Sequence, residues 1–369
     1  MSGVYIHIPF CKSKCPYCDF YSYRCNEEQR GKYVDALIDE IITGSRASEF
    51  LKKPFYADTL YLGGGTPSVL TGEQIFNIIE TAKKEYHLPG NAEITVECNP
   101  GSDIEALIPY FKKAGVNRIS LGMQSAVTEE RRRLGRNADK DRIRSVINLL
   151  NENGITNISL DIMLGIPSQT KDSLEETLQF AVDCKVTHIS AYILKIEEGT
   201  FFHKNIDRYK FPDENAVCDL YYQCCDFLQS KGYSHYEISN FALPGFESRH
   251  NTKYWKLENY LGIGATAHSY IDGKRFYFES NSEGFISGAK AIFDEYGGDY
   301  EEYVMLRLRL KEGLSLSELS RIYGTEHEKK IIKKAPLFKE QGFVSFDGES
   351  LSLTNKGFLL SNTIISELI

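Results

Sequence analysis

Short apolar, β-branched runs alternate with longer stretches of helical periodicity through the first half of the chain. The strand candidates are Val4–Ile8, Thr59–Leu62, Glu93–Glu97, Arg118–Gly122, Ile158–Leu164 and His188–Leu194, bounded by Gly, Pro or Asn. Between them, Glu28–Thr43, Gly72–Glu85, Ile104–Ala114, Lys140–Asn153 and Asp172–Asp183 read as helices. No hairpin signal joins these strands, so they are expected to run parallel with helical crossovers. Six such units predict an α/β fold with a partial (β/α)6 barrel over residues 1–212. A doubly wound open sheet is the structural alternative.

Special or polar residues fall at or near the C-terminal end of each strand. They are Cys11, the Gly63–Thr66 turn, Glu97, Gln124, Asp161 and Tyr192. In β/α barrels that rim is where active sites form, which favours the barrel.

From Asp213 the pattern changes. A helix at Glu214–Ser230 leads into the aromatic, turn-rich HYEISNFALPGFESRHNTKYW, with short strands expected at Ile238 and Arg275–Glu279. Residues 213–299 read as a barrel extension. Beyond them, helices at Glu301–Leu310, Ser315–Tyr323 and Glu326–Glu340 precede two short strands, Phe343–Phe346 and Ser350–Leu353, around the turn signal Asp347-Gly348. This predicts a smaller, helical, winged-helix-like domain over residues 300–369. Such a shape often binds DNA, but the segment is not strongly basic and reads as structural or partner-docking.

The formal net charge of −8 argues against broad nucleic-acid binding. No apolar run is long enough to span a bilayer. The opening residues MSGVYIHIPFCKSKC lack the plan of a signal peptide, so a reducing cytoplasm is expected. Nine cysteines are a poor fit there to a disulfide framework. Cys184, Cys218 and Cys224 lie in apolar helical patterns and read as core.

Cys11, Cys15 and Cys18 instead crowd the loop after the first strand. Thiolates suit zinc or iron–sulfur clusters. Structural zinc normally takes four ligands, and only Cys25, seven residues on, is near enough in sequence to be a fourth. Three thiolates on a [4Fe-4S] cluster leave one iron open, where the amino and carboxylate groups of a methionyl moiety can chelate. Three merely packed thiols would be an oxidation liability.

On the same rim, Gly63-Gly64-Gly65 ends the second strand and lets backbone approach a ligand. A tight strand-to-helix turn explains it too. Glu97, Gln124 and Asp161 offer acceptors and amides for ribose hydroxyls, and Arg136 a partner for a carboxylate. Each alone also reads as a capping or salt-bridge residue. Tyr5 reads equally as a site residue or an inward-facing barrel aromatic.

C-x-x-x-C-x-x-C after a first strand, with Tyr17 before the third Cys, resembles the radical S-adenosylmethionine superfamily. YIHIPFCKSKCPYCDF, YLGGGTPSVL, ITVECNP, RISLGMQS, LDIMLGIPSQT, HYEISNFALPG and YLGIGATAHSY resemble the oxygen-independent coproporphyrinogen III oxidase group, which includes a heme chaperone branch. The resemblance implies a [4Fe-4S] cluster on Cys11, Cys15 and Cys18. It implies S-adenosylmethionine on Tyr5, Tyr17, Gly64, Gly65, Thr66, Glu97, Gln124, Arg136 and Asp161.

Two departures argue against oxidase chemistry. Phe20 stands where the oxidases carry a further Cys, and Tyr5 lies almost at the start where they carry an extension. Arg249-His250-Asn251-Thr252-Lys253-Tyr254-Trp255 matches the chaperone branch's H-N-x-x-Y-W heme-binding motif. His250 would be an axial ligand to heme iron. Tyr254 and Trp255 would pack on the porphyrin, and Arg249 or Lys253 would meet a propionate. The other reading is a turn pinned by an aromatic cluster, with His250 hydrogen-bonded inside. His235 and His268 read first as buried, hydrogen-bonded structural histidines; the alternative places them, with Tyr236 and Glu237, in the same cavity as the motif. The chaperone resemblance implies as partners heme, a heme-acceptor protein, soluble or membrane-associated, and an electron donor.

Overall fold

Strict alternation on the first strand sets the plan of the molecule. In the computed structural model, which describes residues 1–369, β1 (Ser2–Ile8) buries Val4, Ile6 and Ile8 in the main core, while Tyr5 and His7 point to the opposite face. β2 (Ala57–Gly64), β3 (Glu93–Cys98), β4 (Arg118–Gln124), β5 (Asn157–Leu164) and β6 (His188–Ile193) follow in parallel register. The crossovers carry α1 (Glu27–Thr43), α2 (Gly72–Glu85), α3 (Ile104–Ala114), α4 (Thr128–Arg133), α5 (Lys140–Glu152) and α6 (Lys171–Asp183). All of them but α4 start at a side-chain cap. Asn26 with Gln29 and Thr71 with Gln74 form reciprocal capping boxes, each satisfying two otherwise unpaired N–H donors.

Short α7 (Phe201–Lys204) and long α8 (Glu214–Ser230) lead to β7 (Ser234–Glu237) and β8 (Asn240–Ala242). β8 joins β6 antiparallel and β7 forms one edge of the sheet. After α9 (Arg249–Trp255), β9 (Tyr260–Ile263) returns to the other side and pairs parallel with β1. β10 (His268–Ile271) and β11 (Lys274–Tyr277) follow, then α10 (Ser282–Ile286) and β12 (Ile292–Tyr296), the opposite edge. The result is one twelve-stranded sheet whose two edge strands do not pair, an open barrel.

The C-terminal part holds α11 (Tyr300–Arg307), β13 (Leu314–Ser315), α12 (Leu316–Tyr323), α13 (Thr325–Glu340), β14 (Val344–Phe346) and β15 (Ser350–Leu353). The hairpin turns at Asp347, whose carboxylate accepts from the Glu349 and Ser350 amides. β13 pairs with β15, giving a three-stranded wing rather than the two strands expected, and α14 (Asn355–Leu359) and α15 (Ser361–Leu368) close the chain. No helix is long and apolar enough to cross a membrane.

Candidate functional site

The loop after β1 is tied to the rest of the rim by backbone. Cys11 N–H donates to the Tyr23 carbonyl, and Gly65 N–H donates to the Ile8 carbonyl at 2.8 Å. All three loop thiols are half-buried and free of disulfides. Burial raises the pKa of the Cys18 thiol, and the negative charges of Cys15 and Cys11 raise it further. The three thiols therefore share one neighbourhood. Cys25 does not join them: it packs against the main core, and its charged neighbour is Arg30.

No three His, Cys, Asp or Glu side chains converge on a point as a single metal ion requires. Thiolates that each bind a different iron of a cluster need not converge. Three soft donors without a fourth protein ligand fit a cluster with one open iron.

The turn after β2 packs tightly on that loop. A Cβ on Gly65 would lie 2.8 Å from the Phe10 carbonyl oxygen and 3.0 Å from that of Ile8. Gly64 adopts φ +110°, and a Cβ there would strike the His7 ring at 2.5 Å. Thr66 Oγ1 lies 3.5 Å from Cys11 Sγ. Both glycines are thus required by close approach in the protein itself.

The carboxylates follow along the strand ends. Glu97 accepts from the Tyr61 hydroxyl at 2.7 Å and from Gly64 N–H at 3.1 Å. Burial pushes its pKa up to about 7 against those hydrogen bonds. Asp161 accepts from Ser120 at 3.0 Å, and burial pushes it up to about 6. Gln124 is buried at φ +72°, where β4 bulges against β5. A Cβ on Gly122 would sit 3.2 Å from the Gln124 amide and 3.5 Å from the Arg136 guanidinium, so these two side chains meet above one strand end. Arg136 also donates to the Tyr17 hydroxyl at 2.6 and 3.2 Å. That pair joins the loop after α4 to the cysteine loop.

Two cavities flank the loop. One, of about 640 Å³, is lined by Cys15, Cys18, Glu198 and Lys204. The larger, of about 730 Å³, runs from Lys14 and Phe20 at the mouth, past Tyr5 and His7, to Tyr254 and Tyr260. Tyr5 is hydrogen-bonded to His7 at 2.9 Å. His7 was not among the sequence-derived candidates. Its place two residues from Tyr5, on the same face of β1, was the available signal.

His250 lies at the barrel's opposite end, against the first residues of β2 and β3. Its N–H and that of Arg249 donate to the Glu93 carboxylate. Its Nδ1 is hydrogen-bonded to Thr59 Oγ1 at 2.8 Å and its Nε2 to the Tyr254 hydroxyl at 2.7 Å. The ring is fully buried, and burial lowers its pKa to about 3. No ring nitrogen is free for iron in this arrangement.

The other motif residues also differ from expectation. Arg249 pairs with Asp58, and Lys253 with Asp58 and Glu258, and neither cation lines the cavity. The Trp255 side chain does not line the cavity; Tyr254 does. His235 is packed flat on Phe241, as a structural histidine. His268 departs from the buried reading and takes the alternative one: it is exposed and opens β10 at the cavity wall.

Comparisons with known proteins agree with this geometry. The Radical SAM superfamily profile matches residues 5–181, and the HemN C-terminal domain matches residues 299–360. The solved coproporphyrinogen III oxidase (HemN) from Escherichia coli, described as a radical SAM enzyme, superposes with a TM-score of 0.82 at 22% identity, covering 99% of this chain and 89% of that one. The chain is a radical S-adenosylmethionine protein of HemN-like fold.

The heme chaperone HemW of Lactococcus lactis is 32% identical over 376 residues, covering all of this chain and 97% of that protein. HemW of Escherichia coli is 32% identical, covering 98% and 97%. The chain belongs to the heme chaperone HemW family.

Proposed function

We propose that this protein binds heme and passes it to an acceptor protein, while carrying a [4Fe-4S] cluster and S-adenosylmethionine. Cys11, Cys15 and Cys18 hold the cluster, and its open iron takes the methionyl end. Gly64, Gly65 and Thr66 lie along that end, with Arg136 near the carboxylate and Tyr17 holding Arg136. Glu97, Gln124 and Asp161 serve the nucleoside, and Tyr5 closes its inner side. When bound and reduced, this pair of groups supplies S–C bond cleavage; the residues named here bind and orient.

The observation that carries the heme reading is the cavity of about 730 Å³. It begins beside the cysteine loop and ends on Tyr254 of the H-N-x-x-Y-W motif, and its volume lies in the range of cofactor sites, about 300–1,000 Å³. His250 acts in heme binding from behind Tyr254, whose hydroxyl it holds. The acceptor and an electron donor are partner proteins met in the cytoplasm or at its membrane face.

Anaerobic reconstitution followed by titration with ferric heme tests the reading. Wild type gives a saturable Soret shift, and His250→Ala weakens or alters it. A parallel assay with coproporphyrinogen III and reductant tests the oxidase alternative. Sustained decarboxylation without heme binding would replace the chaperone reading.

A further inference from the structure

Heme in the large cavity needs a protein ligand to iron, and the groups lining it differ sharply in availability. His250 is excluded by position, since it lies behind Tyr254 with both ring nitrogens engaged. His7 lines the cavity, but its Nδ1 meets Tyr5 and its Nε2 the Tyr21 carbonyl. No cysteine or methionine lines it. Two of its phenols are committed as well, Tyr5 to His7 and Tyr254 to His250.

Among the imidazoles, His268 is the exception. It lines the cavity, it is exposed, and its ring makes no hydrogen bond to the protein. Its orientation is nonetheless fixed. The ring stacks on Tyr277, its cross-strand partner on β11, with centroids 5.2 Å apart and planes 20° apart. The turn before it is built with care: Thr266 adopts φ +65°, accepts from the Ser280 hydroxyl at 3.0 Å, and its own N–H donates to the Glu279 carbonyl. Thr266 and Ser280 also line the cavity. A preoriented imidazole with free nitrogens on a rigid wall is what axial ligation requires.

The mouth suits the rest of a tetrapyrrole. Phe20 is 64% exposed on the cavity rim, an apolar face that a porphyrin would cover. Lys14, beside it, bonds only to the Phe20 carbonyl and offers its ammonium to a propionate.

Resting on the heme reading above, we infer that His268, and not His250, supplies the nitrogen bound to heme iron, with the porphyrin seated between the β10 wall and Phe20. His250 is then a positioning residue that sets Tyr254 at the cavity floor.

Titrations of the cluster-loaded protein with ferric heme and with iron-free protoporphyrin IX separate the two roles. His268→Ala should weaken ferric heme at least tenfold and shift its Soret and EPR signals away from those of an imidazole-ligated iron. It should leave protoporphyrin IX affinity within about twofold, because no iron–nitrogen bond is at stake. Added imidazole should restore the wild-type spectrum. His250→Ala should weaken heme and protoporphyrin IX alike. Because the His268 ring is exposed and unbonded, circular dichroism of His268→Ala should match wild type, and His268→Gln provides a second variant. Wild-type heme spectra and affinity in both His268 variants would overturn the assignment. Wild type that binds neither heme nor protoporphyrin IX would instead remove the heme reading itself.

Discussion

The Tyr61 hydroxyl donates to Glu97 Oε1 at 2.7 Å inside the barrel. The same Tyr61 ring stacks on His250, with centroids 5.2 Å apart. One side chain therefore touches both the strand-end carboxylate and the motif at the opposite end. Glu97 also accepts from Gly64 N–H, so this line continues to the turn that packs on the cysteine loop.

The two buried carboxylates predict how the ligand-free protein responds to pH. Their folded pKa values stand above the ordinary ones, about 7 against 4.5 for Glu97 and about 6 against 3.8 for Asp161. The folded state then binds more protons than the unfolded state between these limits, so stability falls as pH rises. The contribution is fully present below about pH 4 and is lost through pH 6–7. Each pH unit separating folded and unfolded values corresponds to about 1.4 kcal/mol. Thermal denaturation of wild type should show Tm declining across that window, with a flatter profile in Glu97→Gln. Parallel profiles would mean that Glu97 does not carry the cost.

Gly65→Ala tests how the turn holds the cysteine loop. The added carbon meets three backbone atoms of Ile8 and Phe10 within 2.8–3.0 Å, and backbone next to Cys11 cannot yield without moving that thiol. Overpacking of this kind typically costs about 1–3 kcal/mol. Reconstituted iron and sulfide per chain should drop to less than half of wild type. Gly90→Ala, whose added carbon meets nothing within 4 Å, is the control and should load normally. Full loading of Gly65→Ala would show that the turn and loop are not mechanically linked.

Cluster ligation is separable from the other thiols. The Cys11→Ala, Cys15→Ala, Cys18→Ala triple variant should gain no cluster absorbance on anaerobic reconstitution. Cys25→Ser should load fully, because Cys25 packs on the core away from the three. Retained absorbance in the triple variant would move the ligands elsewhere.

The six parallel strands were legible because each is a short apolar run closed by a Gly, Pro or polar residue, and their observed ends differ by at most two residues from those read in the sequence. β9 and β10 were not legible. Tyr260–Ile263 and His268–Ile271 are four-residue strands with Gly262 inside the first, too short to show a period, and they exist because β1 offers a free edge. The rim residues could be read one strand end at a time. Their pairing could not: Tyr17 with Arg136, and Tyr61 with Glu97, join residues 119 and 36 positions apart. The motif around His250 was visible as a motif, but its burial depends on Thr59 and Glu93, which carry no signal of their own.

Tyr61→Phe is the sharpest test of the link from Tyr61 to Glu97. The substitution keeps the ring on His250 and deletes only the oxygen that donates to Glu97. A buried carboxylate that loses a donor is penalised by about 1.5–3 kcal/mol, since hydrogen bonds to charged groups are the stronger kind. Gly64 N–H remains on the other oxygen, so the carboxylate is loosened rather than released. If Glu97 holds the nucleoside, S-adenosylmethionine affinity measured by anaerobic calorimetry should fall about tenfold, while ferric heme affinity stays near wild type. Tyr61→Ala also removes the stack on His250, so it should weaken both ligands. Any dependence of heme affinity on S-adenosylmethionine in wild type must be reciprocal, and it should vanish in Tyr61→Ala if the link runs through this ring. Wild-type S-adenosylmethionine affinity in Tyr61→Phe would mean that Tyr61 serves only the packing of the barrel interior, and that Glu97 is oriented by Gly64 alone.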